Sequence, residues 1–310
     1  MNEFQLIRQY FDRPAKSALV GVGDDCALLP PAAGALAVTT DMLVEGRHFL
    51  PGADARLLGH KTLAVNLSDL AAMGATPRWA TLSASLVNVD PEWLSGFAEG
   101  IFALADRFGV DLVGGDTTRG AVLTLSVTAL GEVPPDLALT RAAACPGDDI
   151  WISGELGGAA LALVHPEIAE AAKRLHAPEP RVELGERLRG LAHAAIDVSD
   201  GLAGDLGHIL ERSQVGAVVQ YEKIPKPEVF EKFASLEKDC VLSGGDDYEL
   251  IFTAPPAKRA EIEKLSEALK LRLSRVGSIQ PGPAKLVILD GEGKPMEYRG
   301  GFDHFGAERR

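Results

Sequence analysis

The sequence predicts a mixed α/β (α+β) protein of two domains, roughly 1–145 and 146–310. Three observations predict it. The chain has 310 residues, about two domains at the common size of roughly 150. Short apolar runs of strand type alternate with stretches of helical spacing, with no short repeat. Pro146-Gly147-Asp148 punctuates the middle, and a new strand and a Gly-rich turn open directly behind it.

In the N-terminal half, residues 3–11 carry the spacing of a short amphipathic helix, and 21–25 form a loop leading into the apolar stretch 26–29. Pro30, Pro31 and Gly34 mark a turn before a short strand at 35–40, which closes on Thr39-Thr40-Asp41. From 56 to 73 apolar residues recur at 57, 58, 63, 64, 67, 70 and 71, a helical spacing with Gly74 as its stop. Thr62, Asn66 and Asp69 share the other face of that helix. A strand follows at 80–88, then a helix at 91–108 with Pro in its first turn and Gly109 at its end. Residues 110–113 read as a strand that stops at Gly114-Gly115-Asp116, and 122–130 as another, ahead of Pro134-Pro135.

The second half predicts strands at 149–153, 194–198, 216–220 and 248–253. Helices are expected near 157–164, 181–190 and 201–212, and a charged one at 256–270. The Pro-containing segments 177–181 and 223–228 are too short to link independent modules, so the two domains are expected to associate tightly.

Composition narrows the function. Apolar residues at 46% and charged residues at 24% are ordinary for a globular protein. Lys plus Arg total 31 against 44 Asp plus Glu, and the net charge of −13 argues against a general nucleic-acid or anionic-membrane surface. Three cysteines, none in a Cys-x-x-Cys pair, make neither a disulfide framework nor a zinc signature. The start shows no basic segment followed by an apolar one, and no apolar run reaches the roughly 18 residues of a membrane helix. A soluble cytoplasmic protein is expected.

The acids are unevenly distributed. The first 150 residues hold 13 Asp and 5 Glu, the remainder 8 Asp and 18 Glu. Glu decorates solvated helix faces, whereas Asp favours turns, caps and hard-metal sites. Asp recurs beside Gly, Ser, Thr or another Asp in Gly23-Asp24-Asp25, Thr39-Thr40-Asp41, Ser68-Asp69, Gly115-Asp116, Asp197-Val198-Ser199-Asp200-Gly201 and Ser243-Gly244-Gly245-Asp246-Asp247. Taken singly, each is better read as a turn or cap residue. Taken together they exceed what capping requires. If such loops meet, their carboxylates repel strongly unless cations neutralise them. The first 150 residues contain only 10 Lys plus Arg, so divalent cations are the economical answer, and oxygen donors without His or Cys clusters suit Mg²⁺, Ca²⁺ or Mn²⁺. Mg²⁺ shared with phosphates suggests nucleotide chemistry, yet there is no Gly-x-x-x-x-Gly-Lys-Ser/Thr loop, and the Gly runs at 21–23 and 154–158 match no dinucleotide fingerprint. Arg119 and Arg141 are candidates for direct phosphate contact, weighed against ordinary surface positions.

These motifs, in order along nearly the whole chain, resemble bacterial thiamine-monophosphate kinases of the aminoimidazole-ribonucleotide-synthetase-like superfamily. The segments that carry the resemblance are 21–27, 39–49, 60–75, 114–120, Leu139-Thr140-Arg141, 196–202, 243–250 and the closing Gly-Phe-Asp-His-Phe at 301–305. The resemblance implies a two-domain fold whose N-terminal sheet pairs with that of a second subunit into a barrel, hence a homodimer. It also implies transfer of the ATP γ-phosphate to thiamine monophosphate, with several Mg²⁺ ions and no phospho-enzyme.

Position by position, it implies metal roles for Asp25, Thr39, Thr40, Asp41, Asp69, Asp116, Asp197 and Asp200, of which Asp41, Asp69 and Asp116 are central to catalysis. Gly115, Asp116, Arg141 and Ser199 match nucleotide contacts, and His48, Asp246 and Phe302 lie on the thiamine-phosphate side. The family often has Glu where this chain has Asp246, so that contact is expected to be shorter, water-bridged or moved to Asp247.

Two alternatives follow from the same residues. One is another ATP-dependent member of the superfamily. Selenophosphate synthetases carry a reactive Cys or selenocysteine in a Gly-rich N-terminal segment, whereas Cys26 follows two acids and opens an apolar stretch, the setting of a small buried hydrophobe. Hydrogenase-maturation relatives end in a functional Cys, and this chain ends Ala-Glu-Arg-Arg. The other alternative is a metal- and nucleotide-binding sensor without chemistry, which the full acid set disfavours.

Overall fold

A computed structural model of the chain describes residues 2–302. The chain divides into two units, one taking residues up to Leu70 with Ala75–Asp136, the other Ala71–Gly74 and the chain from Leu137 onward. In the first part of the sequence the elements are α1 (Glu3–Leu6), continued by one π-helical turn (Ile7–Phe11), β1 (Ala35–Val44), α2 (Ala55–Ala72), β2 (Thr76–Leu86), α3 (Pro91–Phe108), β3 (Asp111–Arg119) and β4 (Thr124–Val133).

The four strands form one sheet in the order β1-β4-β2-β3, with β1 and β3 at its edges. β4 alternates buried and half-buried residues along its length, because one face of the sheet packs on a core and the other does not. On β1 the same alternation leaves Leu36, Val38 and Met42 on the outer face, 48%, 60% and 56% exposed.

α3 occupies the span its sequence signals define. Asp90 accepts hydrogen bonds from Glu92 N at 3.0 Å and Trp93 N at 3.3 Å, and Gly109 closes the helix in the left-handed conformation. α2 departs from its amphipathic reading. Lys61, Thr62, Asn66 and Ser68 on its polar side are as buried as Leu58, Leu63, Leu67 and Leu70. β1 runs four residues past its expected end, so Thr39, Thr40 and Asp41 lie inside a strand. β3 does not stop at Gly114-Gly115-Asp116. It continues to Arg119 after a bulge opposite Ala80 and Thr81.

In the second part the elements are β5 (Asp149–Ser153), α4 (Gly158–Val164), α5 (Ala169–His176), α6 (Val182–Leu188), β6 (Ala194–Asp197), α7 (Leu202–Ser213), β7 (Gly216–Gln220), α8 (Ala234–Ser243), β8 (Leu250–Ala254), α9 (Arg259–Leu269), β9 (Leu273–Gln280) and β10 (Leu286–Leu289). Six strands form a mixed sheet in the order β10-β7-β9-β5-β8-β6, in which only the β10/β7 pair is parallel. β5 and β8 are buried at every position, as strands covered on both faces must be.

Sequence patterning leaves α5, α8, β9 and β10 unassigned. α5 turns only Ala171 and Leu175 inward, and α8 buries three consecutive residues at its end, so neither shows a long stripe.

Asp247, on the segment entering β8, caps the start of α4. Its carboxylate accepts from Gly157 N at 2.6 Å and Ala159 N at 3.2 Å. Burial pushes this carboxyl up to about 7 against those two amides, and Glu249 nearby adds to the rise.

Two outcomes are expected. Asp90→Ala removes the α3 cap and lowers stability by about 1 kcal/mol in urea unfolding. For Asp247, the unfolded carboxyl titrates near 3.8 and the folded one near 7, so between those values only the folded state keeps the proton. Wild-type stability relative to Asp247→Asn therefore falls as pH rises through that window and levels off above it, which unfolding curves at a series of pH values check.

Candidate functional site

The N-terminal acids are positioned by the buried polar side of α2. Asn66 donates through Nδ2 to Thr62 O at 3.2 Å, and its Oδ1 accepts the Asp41 backbone N–H at 3.0 Å. One turn further, Asp69 accepts a hydrogen bond from Thr39 Oγ1. Because side chains alternate along a strand, Thr39 and Asp41 lie on the same face of β1, the face that meets α2. Thr40 points the other way, where its Oγ1 donates to Val127 O and accepts from Thr128 Oγ1, both at 3.1 Å. Ser126 Oγ, bonded to the Asp41 carbonyl at 3.0 Å, holds the strand from its other side.

Asp25 and Asp116 are gathered at the opposite edge of the sheet. The 21–27 loop and the middle of β3 line a cavity of about 620 Å³ that contains Asp24, Asp25, Cys26, Gly115 and Asp116. Gly115 has φ +149, and a Cβ there would stand 1.8 Å from the Leu82 carbonyl oxygen, so the close approach of β2 and β3 requires glycine. Cys26 is exposed, which corrects its reading as a buried hydrophobe: the loop turns it toward the cavity with the two acids before it. Arg119 lies exposed at the far end of β3.

The strand register separates these two sets. Asp41 pairs with Val127, Val127 with Leu82 and Leu82 with Gly115. Asp41 and Asp116 are thus three strand spacings apart, roughly 14 Å along the sheet. Asp41 and Asp69 form one group with Thr39, and Asp25 and Asp116 another, not a single cluster.

His48 sits in the turn after β1. Its Nδ1 accepts the Val44 backbone N–H at 3.0 Å, which leaves the proton of the neutral ring on Nε2.

A further set is built in the C-terminal unit by two loops zipped together. Val198 N donates to Glu249 O, Tyr248 N to Val198 O and Asp246 N to Ser199 O, at 2.8, 2.9 and 2.9 Å. These bonds bring Asp197, Ser199 and Asp200 alongside Asp246. Asp197, the last residue of β6, is buried. Asp246 and Tyr248 both have left-handed backbones, and Tyr248 Oη donates to Asp246 Oδ1 at 3.0 Å, so the Asp246 carboxylate is aimed by a neighbour held in a costly conformation.

Phe302 joins this set through its backbone. Its N–H bonds the Asp200 carbonyl at 2.9 Å, and the chain arrives there by crossing α7 where Gly301 meets Gly204, with room for no side chain between them. Its ring is 58% exposed. Residues 303–305 of the closing motif lie outside the described residues.

Three contributors are given no role by the sequence, although Asn66 and Tyr248 lie within the motif segments 60–75 and 243–250. Asn66 reads as the polar side of a surface helix and is instead the link to β1. Tyr248 is conspicuous only once its backbone is known. Asp205 is the third. It accepts the Asp200 backbone N–H at 3.0 Å, and burial, with the Asp200 carboxylate beside it, raises its carboxyl to about 7. Arg141, exposed and tied to α7 by Ser213 Oγ on its carbonyl, is close enough to oppose that rise. Asp247, the alternative to Asp246, is committed to the start of α4.

Comparison with known proteins gives the family. Residues 23–133 match the N-terminal domain, and residues 145–290 the C-terminal domain, of AIR synthase related proteins. A thiamine-monophosphate kinase of Escherichia coli K12 is 42% identical over 320 aligned positions, covering 98% of each chain. The crystal structure of thiamine-monophosphate kinase from Stenotrophomonas maltophilia K279a is 45% identical, with a TM-score of 0.84 over 94% of this chain and 96% of that one. The complex of AaThiL with AMPPCP and TMP superposes with a TM-score of 0.78 at 28% identity, over 97% of this chain and 96% of that one. The chain belongs to the thiamine-monophosphate kinase family of AIR synthase related proteins.

Proposed function

We propose that this chain is a thiamine-monophosphate kinase that transfers the γ-phosphoryl group of ATP to the phosphate of thiamine monophosphate, with Mg²⁺, as a homodimer. The observation that carries the reading is the donor set at β1 and α2. Thr39, Asp41 and Asp69 present oxygens on one face, in a chain similar from end to end to thiamine-monophosphate kinases.

In the reaction, an oxygen of the acceptor phosphate forms a bond to Pγ as the bond from Pγ to its bridging oxygen breaks, giving thiamine diphosphate and ADP. The acceptor oxygen is already ionised at neutral pH, so no strong general base is needed, and the chain's task is positioning and charge compensation.

The residues fit Mg²⁺. Carboxylate and hydroxyl oxygens make up the Thr39/Asp41/Asp69 group, and the Asp25/Asp116 group adds two further carboxylates, as a hard cation prefers. Asp197 and Asp200 offer a further pair, and Thr40 adds its backbone beside Asp41. When bound, Mg²⁺ cancels the repulsion between the two phosphate-bearing substrates.

The remaining roles belong to the chain. Arg141 offers a guanidinium to a phosphate, Gly115 a backbone free of side chain, and Ser199 a hydroxyl for the nucleotide. His48, with its ring proton on Nε2, is set to donate to the acceptor phosphate. Asp246, steadied by Tyr248, and the exposed ring of Phe302 suit the cationic heteroaromatic part of thiamine. The exposed Leu36, Val38 and Met42 on the outer face of β1 support pairing of this sheet with that of a second copy.

Purified protein with ATP, thiamine monophosphate and Mg²⁺ is expected to form thiamine diphosphate and ADP, read by chromatography. A folded, ATP-binding sample that forms neither across a range of Mg²⁺ concentrations overturns the assignment. Asp41→Asn and Asp116→Asn should each lower kcat by on the order of 10³-fold with circular dichroism unchanged. Each should also reduce the number of Mn²⁺ ions counted by electron paramagnetic resonance. His48→Ala should raise KM for thiamine monophosphate by roughly tenfold and leave KM for ATP nearly constant, and the reverse pattern moves His48 to the nucleotide.

A further inference from the structure

The C-terminal unit holds another group of ligating side chains that the kinase reading does not use. Cys145, Asp148 and His193 each bring one ligand atom within 4.8 Å of the other two. They differ in kind from the acids above, offering a sulfur, a carboxylate and an imidazole nitrogen. Local sequence does not reveal the group, because Cys145 and Asp148 are three residues apart and His193 arrives 45 residues after Asp148, a spacing that matches no zinc signature.

The carboxylate is the fixed member. Asp148 is 3% exposed, accepts the Cys145 N–H at 2.9 Å and stands 3.0 and 2.9 Å from His193 Nδ1 through its two oxygens. The backbones beneath the group are pinned as well. Asp148 N bonds Cys145 O at 3.0 Å to close a turn through Gly147, and Gly147 N and Asp148 O bond the two backbone groups of Ile279 at the end of β9. His193 N bonds Thr253 O of β8 at 2.8 Å. All three ligands therefore stand on backbone held by the six-stranded sheet.

Cys145 and His193 are exposed while Asp148 is buried behind them, so a cation arriving from water meets thiol and imidazole first and needs no opening of the core. We propose that Cys145, Asp148 and His193 form a binding site for a borderline-soft divalent cation of the Zn²⁺ class, separate from the oxygen-lined kinase site. Three protein ligands and a water complete four-coordination. The ion binds His193 Nδ1 in the neutral ring whose proton is on Nε2 and takes the place between that nitrogen and Asp148. The Cys145 thiol gives its proton to solvent, so one thiolate and one carboxylate balance the double charge. Mg²⁺, which prefers six oxygens, is poorly served here, and this selectivity separates the two sites in solution. The inference does not depend on the kinase assignment.

The test is a Co²⁺ titration of the full-length protein in excess Mg²⁺. One equivalent of Co²⁺ is expected to bind with a thiolate-to-cobalt charge-transfer band, and Zn²⁺ should displace it. Cys145→Ser, at an exposed position, should abolish the band, whereas Cys26→Ser, which removes the other exposed thiol, should leave it. In competition with a chromophoric chelator, His193→Ala should weaken Zn²⁺ binding by about 100-fold or more, since loss even of an outer-shell partner costs 10–100-fold. Zn²⁺ should raise the Tm of the wild type and not that of Cys145→Ser. Absence of the band in the wild type, its survival in Cys145→Ser, or an equal Tm shift in both proteins overturns the site.

Discussion

A helix with a buried polar side must find partners for every polar group on it, and in this chain meeting that demand is what assembles the acids. α2 is enclosed on its polar side as well as its apolar one. Asn66 is 0% exposed, so leaving its amide unpaired would cost a full desolvation penalty, about 1–3 kcal/mol. The partner it finds is the outward backbone N–H of Asp41, on a strand at the edge of its sheet. An edge strand has such groups to spare. The same bond satisfies the helix, covers the edge and sets the height of Asp41 beside Asp69.

The location of the acids follows a related logic. Asp is a poor strand former, and a carboxylate inside a covered sheet needs a cationic partner, as Asp149 of β5 has in Arg259 and Arg275, or gives up its charge. Asp41 and Asp116 both lie inside strands, and both strands are edges, where water or a cation reaches the side chain. Where an acid is closed in, its behaviour changes. Asp205 and Asp247 are each raised to about 7 and each is bonded to backbone amides, Asp205 holding the Asp200 loop and Asp247 the start of α4. These two enclosed aspartates thus hold a loop and a helix start, while Asp41 and Asp116 on the edge strands keep their oxygens accessible.

Much of the fold was legible wherever one local signal agreed with its neighbours. The span of α3 follows from Asp90, Pro91 and Gly109, since each acts on its own turn of backbone. Elements whose evidence is spread across the sheet were less legible. β3 was expected to end at Gly114-Gly115 because glycine weakens a strand, but here glycine is what allows β3 to lie against Leu82, so the strand continues. The apolar residues after Cys26 predict a core position for it, yet it is exposed and lines the cavity with Asp24 and Asp25.

The sequence by itself determined the chemistry available: a surplus of Asp in loops and strand ends, no P-loop, few cations to balance the acids, and an ordered run of motifs pointing to one family. Those are properties of residue type and order, which survive without coordinates. Only the tertiary structure decided grouping. It divided the N-terminal acids between two edges of one sheet and drew Phe302 to Asp200 across the Gly204–Gly301 contact. It also brought His193 to Cys145 and Asp148 from 45 residues further along the chain. Strand register and close backbone approach are relations between distant segments, set by how the sheets pair and pack, and no local pattern of residues encodes them.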